Sequence, residues 1–138
     1  MKLIRKNKDG EKGQSLVEFT LIIPIFLLLV FAIVDFGMGF HAWISVTNAA
    51  REGARIGAVG ADDTTIEARV RDTVGGLDDE DLSVNITNAQ GDPGEAVSVT
   101  VEYDYELITP LSGLLGIVSG GSLGPTLDFN ATSEMRLE

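Results

Sequence analysis

The sequence has no cysteine and a single histidine, His41, among its 138 residues. The absence of cysteine excludes a disulfide framework and thiolate metal sites, although it does not identify the cellular compartment. With one histidine beside the predicted membrane segment and no glycine-rich phosphate loop, the chain offers no Ser-His-Asp set that can be placed in a pocket, and its many carboxylates are typical of a solvated surface. The sequence therefore predicts a protein that is not an enzyme and that uses no metal, cofactor or small-molecule substrate.

Basic residues are also scarce, and they are unevenly distributed. Residues 1–13 contain five of the ten bases and two of the 21 acids, which leaves five bases and 19 acids for the rest of the chain. Because such an acidic remainder is repelled by phosphate backbones, nucleic-acid binding is not expected. The sequence predicts a cationic leader followed by a strongly anionic protein.

A long run without charge follows the leader, at residues 19–34. About 20 helical residues span a bilayer, and apolar residues beyond Asp35 complete that length if Asp35 lies near the far interface. A cleaved secretory signal peptide is the alternative, but its apolar region is shorter, whereas this helical pattern continues to about Val59. The pattern predicts a single-pass anchor in the cytoplasmic membrane. Bases before the run place the N-terminus in the cytoplasm and the C-terminal domain outside.

Two residues inside this helix are unusual. Glu18 opens the apolar run, where a carboxylate is costly unless it has a partner or its side chain reaches the interface. Pro24 removes one backbone hydrogen bond and is expected to kink or loosen the helix near Thr20, unless it is an ordinary membrane proline without a special role.

Small residues spaced four apart continue along the same helix. They form a smooth seam on which a second helix or a sheet can approach closely, and this seam packs either against the chain's own sheet or against another subunit. The seam comprises Ala49, Ala50, Gly53, Ala54, Gly57 and Ala58.

The segment from Gly13 through Glu18 and Phe19 resembles the processing motif of type IV prepilins: a basic leader ending in glycine, a glutamate at the fifth mature position, and a long apolar helix. The resemblance implies cleavage between Gly13 and Gln14 by a membrane aspartyl prepilin peptidase supplied in trans. It also implies that Glu18 faces the new α-amino group of a neighbouring subunit.

Over roughly residues 13–60 the chain also resembles the TadE-like family of the Tad (tight adherence) pilus. The resemblance rests on the prepilin-type motif, the proline-interrupted helix, an acid followed by Phe-Gly at positions 35–37, and the run Ala-Ala-Arg-Glu-Gly-Ala-Arg at positions 49–55. It implies a minor pilin or pseudopilin whose partners are other Tad pilins or pseudopilins and assembly platform proteins, with incorporation into a surface pilus left open. A membrane-tethered extracellular binding module with an uncleaved anchor is the alternative.

The remaining sequence predicts an α+β fold in three parts: the leader (1–13), the long helix (14–59) and a small acidic exported domain (60–138). In the domain, apolar residues at helical spacing predict a short amphipathic helix over residues 64–74. Alternating apolar and polar residues then predict three antiparallel strands, near residues 82–87, 97–105 and 127–138. One face of this sheet is expected to cover the small-residue seam.

Two further segments of the domain have open interpretations. The acidic turn at residues 77–81 could attract Ca²⁺, but it lacks the ligand spacing and the glycine of an EF-hand loop, so no metal site is predicted. The apolar, glycine-rich stretch at residues 110–121 is expected to form either a short helix that closes the core or a contact surface for another subunit.

Overall fold

The computed structural model of the chain describes residues 8–121 and 126–138, so most of the basic leader, residues 1–7, lies outside the described residues. The described elements follow in the order α1 (Lys8–Gly57), α2 (Asp63–Val74), β1 (Leu82–Thr87), β2 (Ala96–Glu106), α3 (Leu111–Val118) and β3 (Thr126–Arg136). A long N-terminal apolar helix therefore precedes a short helix and a three-stranded antiparallel sheet. The predicted α+β fold is confirmed.

Helix α1 is continuous for 50 residues and runs through Pro24. It ends at Gly57, two residues before the predicted end, and the chain then turns at Gly60, whose φ is +86°. Among the described residues, one helix is long and apolar enough to cross a membrane, and it is this one, over Gly13–Gly57. The N-terminal apolar run therefore has the length and composition of a single-pass anchor.

Helix α2 is positioned by its first and last residues. The Asp62 side chain caps its start by accepting a hydrogen bond from the Thr65 amide at 3.0 Å. Its buried residues are Ile66, Val70 and Val74, which form the predicted apolar face, and Gly75 follows its last residue. Helix α2 therefore packs one apolar face against α1 and leaves its polar side chains in water.

The sheet has the order β1-β2-β3, and both pairs are antiparallel. The central strand β2 fills the core with alternate side chains: Val97, Val99 and Val101 are fully buried, and Tyr103 and Tyr105 are nearly so. Such alternation is expected for a sheet with one packed face and one face in water.

Helix α1 crosses the packed face of this sheet antiparallel to β2. Gly57 lies against Val97, and Gly39 lies against Tyr105. The path of β2 from Val97 to Tyr105 therefore follows α1 from its C-terminal end toward its N-terminal half. The loop after β2 is consequently held beside the membrane-spanning part of the helix.

Helix α3 confirms the helix expected in the glycine-rich stretch, but it does not close the core. Its side chains Leu114 and Ile117 remain 42% and 79% exposed. The physical reason is that α1 and α2 already fill the packed face of the sheet. Among the side chains that the structure describes, α3 instead adds apolar surface outside the core.

Candidate functional site

The predicted processing segment lies on the surface of α1, before the apolar run. The Gln14 side-chain amide donates a hydrogen bond to a Glu18 carboxylate oxygen, with 3.0 Å between Nε2 and Oε1. Phe19 is 61% exposed, and a Cβ added at Gly13 would meet no atom within 4 Å. The described remainder of the chain therefore leaves the predicted scissile bond sterically open.

The helix that follows is apolar on every side, and the other described residues of the chain do not cover it. Large apolar side chains are exposed through this region, at a density that a soluble monomer does not tolerate. A bilayer or other helices must therefore cover it. The exposed residues of this stretch include Leu16, Val17, Leu21, Ile22, Ile25, Phe26, Leu29, Ile33 and Val34.

Pro24 lies within this exposed part of α1. Because proline has no amide hydrogen, the carbonyl of Thr20 loses its usual helical donor. One turn earlier, the Thr20 hydroxyl donates to the Leu16 carbonyl at 2.8 Å, a side-chain hydrogen bond that often accompanies helix bending. The helix is continuous at this point, so any distortion is accommodated without a break.

The small-residue seam faces the chain's own domain. Ala49, Ala50 and Ala54 are fully or almost fully buried, and Ala58 is partly buried. A Cβ at Gly53 would lie 2.7 Å from Val70 Cγ2 and 3.1 Å from Val99 Cγ1. The seam therefore receives α2 and the sheet, and these neighbours require a glycine at position 53.

A small ionic network fastens α2 to α1 beside the seam. Glu52 Oε1 lies 2.7 Å from Arg55 Nη2 on its own helix and 3.5 Å from Arg69 Nε on α2. The hydrogen bond from Arg55, together with both positive charges, lowers the pKa of Glu52. Because the arginines are well exposed, this network contributes little to the stability of the fold.

Asp35 is a buried carboxylate whose role the sequence did not reveal. Asp35 is only 3% exposed. Its Oδ1 accepts hydrogen bonds from the backbone amides of Ile108 (3.1 Å) and Thr109 (3.2 Å), and its Oδ2 accepts one from the Thr109 hydroxyl. The carboxylate thus ties the loop between β2 and α3 to the long helix.

Tyr105 completes this junction from the end of β2. Its hydroxyl donates to the Asp35 backbone carbonyl at 3.4 Å, and its ring packs against that of Phe129, with 5.9 Å between centroids. Burial, reinforced by the Asp35 carboxylate, raises the pKa of the Tyr105 hydroxyl, which therefore stays protonated and able to donate.

One carboxylate of the acidic turn at residues 77–81 forms an ion pair with helix α2. Asp79 lies 3.1 Å from Arg71, which also contacts Glu67 at 2.9 Å. The part of the chain that the structure describes contains no group of three histidine, cysteine or acidic side chains that could hold a metal ion. An arginine in contact with the turn opposes cation binding, and the acids there have the geometry of a solvated surface.

A second acidic feature lies on the outer face of the sheet. Asp104 and Asp128 are directly opposite each other on β2 and β3. Desolvation and the charge of Asp128 raise the pKa of Asp104. Both side chains are exposed, so the pair belongs to the negative surface of the domain. Like charges that are directly opposite on neighbouring strands are mildly destabilising.

Comparison with protein-family models gives a match over residues 13–55, to the family described as TadE-like protein. This segment of the chain is TadE-like. The matched region contains the processing segment, the membrane-spanning part of α1 and most of the seam, and it stops before α2 and the sheet. The comparisons with curated proteins and with solved structures gave no match.

The TadE-like segment is less than a third of the chain and lies within α1. It also contains Asp35, which the sequence reasoning placed simply at the far interface. A signal was present, because an acid inside an otherwise apolar stretch calls for a partner. Its partners lie more than 70 residues away, however, and they include backbone amides. Because nearly every residue has such an amide, no sequence pattern could identify them.

Proposed function

We propose that the chain is a minor pilin or pseudopilin of a Tad-type pilus, cut between Gly13 and Gln14 by a prepilin peptidase supplied in trans. One observation carries the proposal: the prepilin-type motif opens a helix whose apolar surface is exposed on every side. A helix of this kind suits lateral packing against other pilin helices, in the membrane and in a fibre.

Glu18 would provide specificity in that packing. In the uncut chain its carboxylate receives a hydrogen bond from the Gln14 amide, which is a neutral partner. Cleavage would give Gln14 a free α-amino group, and the amino group of a neighbouring subunit would pair with Glu18. A compensating charge lowers the cost of holding a carboxylate in an apolar helix bundle.

The remaining parts fit a structural role without catalysis. The seam and the Asp35 hydrogen bonds hold the domain against the helix, so the helix and the domain would move as one body during assembly. With the N-terminus in the cytoplasm, the peptidase would act at the inner face of the membrane, and the domain would initiate, cap or decorate the pilus outside.

A membrane-tethered binding module is the second candidate. The apolar groove between α1 and the loop after β2, with a volume of about 680 Å³, is the feature that favours it. The two candidates differ in their N-termini: a tethered module keeps its leader, whereas a pilin loses it.

The assembly role of Glu18 is tested by a Glu18→Ala variant expressed with the Tad peptidase and pilus components. We expect cleavage to continue and recovery with the sheared pilus or its assembly complex to fall by about tenfold or more, since breaking a buried ion pair costs about 3 kcal/mol or more. Glu80→Ala, which removes a charge from the exposed acidic turn, is the matched control and should assemble normally. Equal recovery of the Glu18→Ala and Glu80→Ala variants would contradict the assigned role.

A further inference from the structure

The length of α1 sets the depth at which the exported domain meets the membrane. The uncharged run at residues 19–34 contains 16 residues, which span only about 24 Å as a helix. A hydrocarbon core of about 30 Å needs about 20 helical residues. The exposed apolar surface of α1 continues past Val34 through Phe36, Met38 and Phe40, so Asp35 and Phe36 lie at the edge of the span.

Part of the domain lies at this same level. The loop after β2 reaches Asp35 through the amides of Ile108 and Thr109, and Phe129 on β3 reaches Gly39. A carboxylate at the edge of the hydrocarbon finds few water molecules, and these donors replace them. The domain thus meets the helix at the edge of the span.

The composition of this part of the domain matches that depth. Residues 107–127 contain no charged side chain, although the chain beyond residue 13 carries 19 acids. Large apolar side chains point out of the fold here instead of into the core. They are Ile108 (64% exposed), Leu114 (42%), Ile117 (79%) and Leu127 (47%).

A continuous apolar surface joins this segment to the membrane span. The 680 Å³ groove is lined by Phe36, Phe40 and Trp43 of α1 on one side and by Leu107, Leu111 and Leu127 on the other. A smaller cleft along Leu29 and Ile33 shares Ala32 and Phe36 with the groove and continues down the helix. The bilayer that covers the helix must therefore also meet the groove.

We propose that residues 107–121, which include α3, form together with Leu127 a membrane-contacting element that dips into the leaflet on the domain's side, with phospholipid acyl chains in the groove. The inference rests on the membrane anchor but not on cleavage or pilus assembly. Lipid is the occupant because the groove is continuous with the span, lies at its depth and is bordered by uncharged sequence. The element keeps the domain in contact with the membrane surface beside its own helix.

The test uses the absence of native cysteine, which allows single labels in the full chain reconstituted in phosphatidylcholine vesicles. An environment-sensitive fluorophore is attached at Ile117→Cys, and its quenching by lipids that carry a quencher on their acyl chains is measured. Phe36→Cys, at an 80% exposed position of the span, is the positive control. Asp92→Cys is the negative control, since it lies in the β1–β2 loop at the opposite end of the domain.

We expect quenching at position 117 to be comparable with that at position 36 and several-fold stronger than at position 92. Quenching at position 117 no stronger than at position 92, with position 36 quenched, would overturn the inference and leave the anchor and the proposed function intact. Disulfide cross-linking between two Ile117→Cys chains without lipid quenching would also overturn it, because a second copy would then occupy the surface. Absence of quenching at position 36 would place Phe36 outside the hydrocarbon and would also overturn the inference, because the depth on which it rests would be wrong.

Discussion

Replacing Gly53 with leucine is expected to separate the C-terminal domain, residues 60–138, from the long helix. The Cβ alone would lie 2.7 Å from Val70 Cγ2, and branched valine side chains cannot turn aside. Overpacking of this kind typically costs about 1–3 kcal/mol and sometimes more, and a full leucine exceeds the space by several atoms. Denaturant titration in detergent micelles, followed by the fluorescence of the single tryptophan, Trp43, measures the loss.

Gly37→Leu is the matched control for this experiment. It replaces a glycine in the same helix, so it gains the same helix propensity, worth about 1 kcal/mol, but a Cβ there meets no atom within 4 Å. The difference between the two variants therefore isolates the packing of the seam. If Gly53→Leu were as stable as Gly37→Leu, the close approach of α1 to α2 and the sheet would be refuted.

Replacing Asp35 with leucine is expected to release the loop between β2 and α3 from the long helix. The amides of Ile108 and Thr109 and the Thr109 hydroxyl would lose their acceptors. Because each unsatisfied buried donor costs about 1–3 kcal/mol, we expect a total loss of about 2–4 kcal/mol after partial relaxation. Hydrogen–deuterium exchange at residues 108 and 109 reports the release directly.

Asp35→Asn separates the hydrogen bonds from the charge. Its carbonyl oxygen still accepts from both amides, and its NH₂ group can donate to the Thr109 hydroxyl oxygen. We therefore expect Asp35→Asn to retain most of the protection that Asp35→Leu loses. Equal protection in the leucine variant and the wild type would show that the carboxylate does not hold the loop.

The elements that the sequence predicted well are those with a strong local period. The uncharged run before Asp35 indicated the long helix, and the spacing of Ile66, Val70 and Val74 indicated the buried face of α2. Alternation in β2 indicated a sheet with one packed face. These patterns are local, because a helix or a strand repeats its buried positions at a fixed interval.

The parts that sequence reasoning missed depend on contacts between distant segments. Asp35 meets the loop at residues 108–109 only because α1 and β2 run antiparallel across the same packed face. For the glycine-rich stretch at residues 110–121 the sequence left two interpretations open, a short helix that closes the core or a contact surface for another subunit. The helix α3 lies outside the core because α1 and α2 already cover the packed face of the sheet. No local pattern in residues 111–118 could have predicted this.

The two halves of α1 make different kinds of contact. The N-terminal half carries the Gly13 to Phe19 motif and an apolar surface that the other described residues leave exposed, whereas the C-terminal half packs against the C-terminal domain through the seam. Asp35 lies where the two halves meet. Contacts with other subunits are therefore expected from the N-terminal half, and variants at Gly53 are expected to affect stability first and assembly only as a consequence.

The intact mass of the membrane-extracted chain, made with and without a Tad-type prepilin peptidase, tests the proposed function most directly. With the peptidase, the account predicts the mass of residues 14–138 for the wild type and the full-length mass for Gly13→Leu, since leucine stabilises the helix at the cleavage site and adds a side chain where glycine leaves the backbone free. A wild-type chain that stays full length beside a peptidase shown to cut another prepilin would contradict the pilin account and favour the tethered binding module. A cut near Gly37 would instead indicate a signal peptide.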